Sequence, residues 1–133
     1  MSKLAVYNTQ MVSVSWADQA GDERIGIFKA PDYGNVTITA VHAIATETVT
    51  ASTANYWQLV LQDGGATGTA TAAIGTAGGT SGWVADTGKA FTLAASTVMN
   101  LDAGDWLMVN YDETGTVAPG EVTINVHYRV GQA

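Results

Sequence analysis

The chain of 133 residues has no cysteine and only five lysine or arginine side chains against twelve aspartates and glutamates, giving a formal net charge of −7. Without cysteine, neither a disulfide framework nor a thiolate metal site can form. The five basic residues are scattered along the sequence, so no basic patch is available to neutralise nucleic-acid phosphates or an anionic membrane surface. We therefore expect neither nucleic acid nor a membrane among the partners.

Long apolar runs are also missing, because no segment approaches the 18 or so residues that a membrane-spanning helix needs. The first ten residues, MSKLAVYNTQ, lack the apolar centre of a secretory signal, so we expect synthesis in a cytoplasm. Charged side chains make up only 13% of the chain, about half of their usual share in soluble domains. So little charge favours a protein that covers much of its surface with partners.

Hydrophobic residues alternate with a period of two, which is the spacing of β-strands. In EVTINVHYRV, Val122, Ile124 and Val126 share one face, while Thr123 and Asn125 share the other. Five further segments read as strands: MVSVSW, ERIGIFKA, NVTITA, NYWQLVLQ and DWLMVNYD. Turn residues separate these runs at a spacing of roughly 8 to 12 residues, which is typical of sandwiches and barrels. We predict an all-β fold, an antiparallel sandwich of about eight strands.

Residues 64–82, GGATGTATAAIGTAGGTSG, are rich in glycine, and Ile74 is their only large side chain. A structureless loop of this length is uncommon inside a compact domain, so we predict a weakly packed hairpin with one short strand near residues 69–74. We divide the chain into an extended N-terminal arm, residues 1–22, and a β-sandwich domain, residues 23–133. The reason is that Val12, Val14 and Trp16 alternate before the first strand that is bounded by clear turns.

Four acidic residues flank the apolar run DWLMVNYD. Asp102 and Asp105 enclose Ala-Gly in a sequence typical of a β-turn, and Asp112 and Glu113 are expected in the turn that follows. A strand between the two pairs would separate them by about 20 Å. They form neither the carboxylate pair of a glycosidase nor a calcium-binding loop. We interpret them as residues that end the strand.

The two histidines lack the spacing of a metal site, since no H-x-H pair occurs. His127 falls on the polar face of its predicted strand, whereas His42 is expected to face a core of alanines. The motifs of a serine nucleophile, a phosphate-binding loop and a dinucleotide site are absent as well. We expect no catalytic residue, no bound metal and no cofactor. A cupin-like enzyme is therefore disfavoured.

The tryptophans leave two interpretations open. Two or three of them exposed in one plane would indicate a carbohydrate-binding module, but tryptophan is as common in the core of a sandwich. Trp106 and Met108 lie opposite the better core face of their strand, so both faces of that strand are apolar. The second face must be covered by a partner or by the chain's own glycine-rich segment.

Three segments together are similar to one protein family: APDYGNVTITAVHAIATETVTASTANYWQLVLQDGG, FTLAASTVMNLDAGDWLMVNYDETG and the final V-T-I-N-V-x-Y strand. Over about residues 24–130 the chain resembles the small jelly-roll head decoration (cement) proteins of tailed bacteriophages. The resemblance implies a jelly-roll sandwich on the outside of an assembled capsid. It also implies contact with the major capsid protein, commonly as a homotrimer at local three-fold positions, and no chemistry.

This resemblance gives the expected function, a structural virion protein on the capsid exterior. The expected oligomer or capsid contacts are Val12, Val14 and Trp16 in the arm, and Trp106 and Met108 in the sandwich. The alternative is a carbohydrate-binding β-sandwich module on a phage fibre or a cell surface.

Overall fold

The computed structural model describes residues 9–17, 19, 22–94 and 100–131. Within these ranges the chain forms ten β-strands, and it contains no helix that could cross a membrane. The strands are β1 (Thr9–Trp16), β2 (Glu23–Lys29), β3 (Val36–Ala45), β4 (Tyr56–Asp63), β5 (Ala72–Gly78), β6 (Lys89–Ala90), β7 (Thr92–Leu93), β8 (Asn100–Leu101), β9 (Trp106–Thr114) and β10 (Val122–Val130).

The strands form two antiparallel sheets of five strands each. The first sheet has the order β1-β10-β3-β6, with β8 also paired to β3, and the second has the order β2-β9-β4-β5-β7. The predicted all-β antiparallel sandwich is therefore confirmed. Three strands of two residues each, β6, β7 and β8, come in addition to those that the sequence indicated.

The alternation places one face of each long strand in the core between the sheets. On β10, Val122, Ile124 and Val126 are fully buried, and on β9 so are Leu107 and Val109. Burying a side chain of this size contributes about 1.5–3 kcal/mol relative to leaving it exposed. The period of two that defined the strands in the sequence is thus the same feature that builds the core.

Aromatic rings fill one region of this core. Trp57 and Trp83 stack with centroids 4.0 Å apart and planes 10° apart, and Tyr111 lies 5.6 Å from Trp57. The Trp83 indole N–H donates to the Trp57 carbonyl at 3.2 Å. Gly78, with φ of +93°, makes room for the stack, because a Cβ atom there would lie 2.5 Å from the Trp83 Nε1.

The predicted N-terminal arm needs correction where the structure describes it. Residues 9–16 are β1, which pairs with β10 along its whole length, from Thr9 opposite Arg129 to Trp16 opposite Val122. A domain boundary at residue 22 would therefore separate the edge strand β1 from β10, its neighbour in the same sheet. The alternation in TQMVSVSW is that of a strand with one face on the core. Residues 1–8 of the predicted arm lie outside the described residues.

The glycine-rich segment contains an ordered hairpin strand. β5 begins at Ala72, later than the predicted 69–74, and pairs with β4 on one side and β7 on the other. Ile74 and Ala77 are buried, which ties the strand to the core. Gly75 allows the close approach of β7, since a Cβ atom there would lie 2.8 Å from the Leu93 Cδ2.

Candidate interaction surfaces

The predicted contact residues of the arm lie on the face of β1 that points into the sandwich. Trp16 is only 6% exposed and packs edge-on against Tyr111 of the opposite sheet, with ring centroids 5.8 Å apart. Trp16 is therefore a core residue that offers almost no surface to a partner. Val12 and Val14 are half-buried, because β1 is the edge of its sheet. These two valines keep a partly exposed apolar surface at that edge.

Trp106 and Met108 lie on the outer face of the second sheet and are half-buried. The loop of residues 64–71, between β4 and β5, lies over them. A Cβ atom added at Gly68 would be 3.7 Å from both the Met108 Sδ and the Trp106 Cγ, and one added at Gly64 would be 2.7 Å from the Met108 Cγ. The chain's own glycine-rich loop thus covers much of the second apolar face of β9.

Hydrogen bonds fasten this loop to the sheet. The Gly64 N–H donates to the Trp106 carbonyl at 2.8 Å, and the Trp106 N–H donates to the Gly65 carbonyl at 2.9 Å. The Arg24 guanidinium on β2 donates to two backbone carbonyls of the loop, at 3.1 and 2.7 Å. A partner at Trp106 and Met108 would therefore contact a surface built jointly by the sheet and the loop.

The outer face of the first sheet has a different character. Nine side chains point outward in three rows that the strand register sets side by side. We call them the first-sheet face: Met11, Ser13 and Ser15 on β1, Thr123, Asn125 and His127 on β10, and Ala40, His42 and Ile44 on β3. None is acidic, lysine or arginine, although the chain carries a net charge of −7. Met11 and Ile44 are large apolar side chains that are 57% and 36% exposed.

Sequence reasoning missed this face as a unit. The outward positions of β1 and β10 follow from the alternation, but only the register places β1, β10 and β3 side by side in one surface. The available signal was that β1 and β3 contain no charged residue and β10 contains only Arg129. The first charged side chain beyond the face on these strands is Arg129, in the row next to Met11 and His127.

The two histidines belong to this face. His42 is exposed on β3, so the expectation that it faces the core is wrong. The reason is its register: it pairs with Asn125, whose side chain points outward, while Val41 and Ala43 on either side are buried. The rings of His42 and His127 lie 6.2 Å apart. Among the described residues, no three His, Asp or Glu side chains are placed to hold a metal ion.

The first acidic pair forms the predicted turn. The Asp105 N–H donates to the Asp102 carbonyl at 3.0 Å, and Gly104 takes a φ of +84°. Burial and the nearby carboxylates of Asp63 and Asp102 raise the pKa of Asp105 above the usual aspartate range. Asp63 and Asp102 also line a groove of about 400 Å³ beside this turn. Asp102 and Asp105 therefore form the turn that precedes β9, as the sequence predicted.

The second acidic pair lies inside β9, so its predicted place in the following turn is wrong. The strand continues to Thr114, because β4 pairs with it as far as Tyr56. The Tyr111 hydroxyl donates to the Glu113 carboxylate at 2.8 Å. Burial is the larger cause that raises the pKa of Tyr111, and this hydrogen bond raises it further. Gln58 donates to Asp112 at 3.1 Å. Both carboxylates therefore accept hydrogen bonds from neighbouring side chains on the sheet.

The aromatic side chains do not form an exposed platform in the part of the chain that the structure describes. Trp16, Trp57 and Trp83 are buried, and Trp106 lies beneath the loop. Within the described ranges, Tyr33, which is 77% exposed, is the one ring among the large exposed hydrophobic residues. The coplanar row of rings that a carbohydrate-binding module would present is not found among these residues.

Comparison with protein-family models gives no match, and comparison with curated proteins gives none either. The functional interpretation therefore depends on the two surfaces just described and on the connectivity of the sandwich.

Proposed function

We propose that this protein is a structural component of a tailed-phage virion that binds the outer surface of the assembled capsid and stabilises it, as a homotrimer at local three-fold positions. The observation that carries the proposal is the first-sheet face. It is a sheet surface of nine side chains without aspartate, glutamate, lysine or arginine, on a protein of net charge −7. The partner that we propose for it is the major capsid protein.

The strand connectivity supports a jelly roll. The pairing is nested: β1 pairs with β10, β2 with β9, β3 with β6 and β8, and β4 with β5. Such nesting results when one long hairpin rolls up into two sheets, the arrangement of jelly-roll capsid and lectin domains. Fold alone does not fix a function, so this argument is one of analogy.

The charge distribution supports a protein partner on the first-sheet face. The buried centres of protein interfaces are depleted in charged residues, because desolvating an unpaired charge is costly. Serine, threonine and asparagine on this face can exchange hydrogen bonds with water for hydrogen bonds with a partner. The acidic residues lie elsewhere, where they keep the free protein soluble.

The proposed mechanism is mass action without chemistry. A ligand that binds the assembled shell and not its separated subunits stabilises the shell by RT ln(1 + [L]/Kd) per site. A trimer that contacts three capsid subunits at once also gains avidity. In this proposal Trp106, Met108 and the loop that covers them are available for contacts between the three copies.

The test measures binding of the protein to assembled heads that lack it. Two variants place a carboxylate on the first-sheet face, Ser15→Glu and His42→Glu, and both positions are exposed. A matched control, Thr53→Glu, places the same charge at an exposed position in the connection between β3 and β4, which belongs to neither of the two surfaces. We expect each face variant to lose at least tenfold in affinity, which corresponds to about 1.4 kcal/mol, while the control binds as the wild type does.

Circular dichroism must first show that all three variants keep the β-sheet spectrum. Wild-type protein that fails to bind heads would contradict the proposed function. Full binding by both face variants would show that this face is not the one that meets the capsid.

A further inference from the structure

Among the described residues, one edge of the first sheet has none of the features that usually protect a sheet edge. β1, TQMVSVSW, contains no charged residue, no proline and no irregularity in its pairing with β10. Beyond it, no described strand pairs with β1. Alternate residues of this strand therefore turn backbone N–H and C=O groups toward the side of the sheet on which no described strand pairs with them. A long regular edge of this kind is a template for pairing with another strand.

The edges of the second sheet are protected by comparison. β2 carries Glu23, Arg24 and Lys29, and its pairing with β9 is broken by a bulge between Gly26 and Phe28. β7, at the other edge, is only two residues long. Charges, bulges and short strands are the features by which proteins keep sheet edges from associating. Their absence from β1 marks this edge as different.

We propose that two copies of this chain pair through their β1 strands, antiparallel and related by a two-fold axis that passes near Ser13. In such a pair the directly opposite side chains lie on the same face of the joined sheet. With Ser13 opposite Ser13 of the second copy, Val12 lies opposite Val14, and Ser15 lies opposite Met11. Half-buried valines would then cover one another, and uncharged outer side chains would meet without repulsion.

A second copy fits this edge because the strand is complementary to itself in that register. A one-residue shift would place outward serines beside inward valines, and the alternation of the strand forbids it. The joined sheet would extend the first-sheet face across both subunits. This inference does not depend on capsid binding, because the contact is between copies in solution.

The contact is expected to be weak. A single strand pair buries less than the roughly 1,600 Å² of a standard stable interface. Association should therefore appear at micromolar or higher concentration and become stronger where copies lie side by side on a surface. Because each two-fold contact joins two particles, it doubles the mass of a monomer, and it at least doubles the mass of a trimer, which carries three such edges.

The test is sedimentation equilibrium of the full chain over a wide concentration range, with charge variants at the symmetry centre. Ser13 is exposed, and its hydroxyl donates to the Asn125 amide oxygen. Ser13→Lys and Ser13→Glu each place two like charges opposite one another across the axis, and each should abolish the doubling. An equimolar mixture of the two variants should restore it, because opposite charges then face each other.

Ser15→Lys is the matched control on the same strand and face. In the proposed register its two lysines would be about 13 Å apart along the strands, beyond the Debye length of about 10 Å at 0.1 M salt. This variant should keep the doubling. Three results would each overturn the proposal. They are a wild-type protein that does not double in mass, a Ser13→Lys variant that doubles as the wild type does, and a mixture of the two Ser13 variants that does not double. None of these results bears on head binding, which is measured separately.

Discussion

The substitution Trp16→Ala tests whether β1 is a strand of the sandwich or a detachable arm. Trp16 is 6% exposed and lies edge-on to Tyr111 of the opposite sheet. Truncating a buried tryptophan to alanine costs roughly 3–5 kcal/mol. That range includes about 0.5–1.5 kcal/mol from the aromatic pair. A small domain has only about 5–15 kcal/mol of stability in total.

Urea denaturation followed by circular dichroism measures this loss. With a slope of about 2 kcal/mol per molar urea, typical of a domain of this size, the midpoint should fall by roughly 1.5–2.5 M. Ser15→Ala, at the exposed neighbouring position, should change the free energy of unfolding by less than about 0.5 kcal/mol. A midpoint for Trp16→Ala within about 0.3 M of the wild type would refute the placement of β1 in the sandwich.

Three further substitutions test other parts of the structure. Gly78→Ala should destabilise the fold by roughly 1–3 kcal/mol, because Gly78 has a φ of +93° and no room for a Cβ atom beside the tryptophan stack. The control Gly88→Ala should cause no such loss, because a Cβ atom at Gly88 points into open space. Equal urea midpoints for the two variants would contradict this prediction. Arg24→Gln should speed amide hydrogen exchange in residues 64–71 by removing two bonds to that loop, and Lys29→Gln should not; unchanged exchange would mean that the loop does not depend on the arginine. Burial and neighbouring carboxylates raise the pKa of Asp105, so its ionised form lowers stability above that pKa and this cost vanishes below the usual aspartate value of about 3.9. Asp105→Asn should therefore raise the melting temperature at neutral pH and lose this advantage as the pH falls toward about 3; an advantage that grows with falling pH would be the wrong sign.

The sequence predicts the layers of this fold because its alternation is strict where one face of a strand is buried. Val122, Ile124 and Val126 show this, and so does the turn at Asp102–Asp105. The alternation does not show which strands are neighbours, because pairing depends on residues far apart in the chain. For that reason β1 was separated from the sandwich although it pairs with β10 over its whole length.

The sequence also could not predict the shortest strands or what covers the second face of β9. β6, β7 and β8 have two residues each, too few for any period to appear. The sequence predicts that His42 faces a core of alanines, and only its pairing with Asn125 shows that it lies outside. The second apolar face of β9 was recognised as needing a cover. The sequence left the loop of its own chain and a partner as alternatives, and only the fold brings Gly64 and Gly68 over Met108.

The most direct test of the central proposal is co-sedimentation of purified protein with assembled heads of the phage that, under this proposal, encodes it, prepared without this protein. The same protein is incubated in parallel with unassembled major capsid protein. We predict saturable binding to the assembled heads, at three copies per local three-fold position, and no binding to the separated subunits. Absence of binding to heads, or equal binding to heads and to separated subunits, would contradict a role in stabilising the assembled shell.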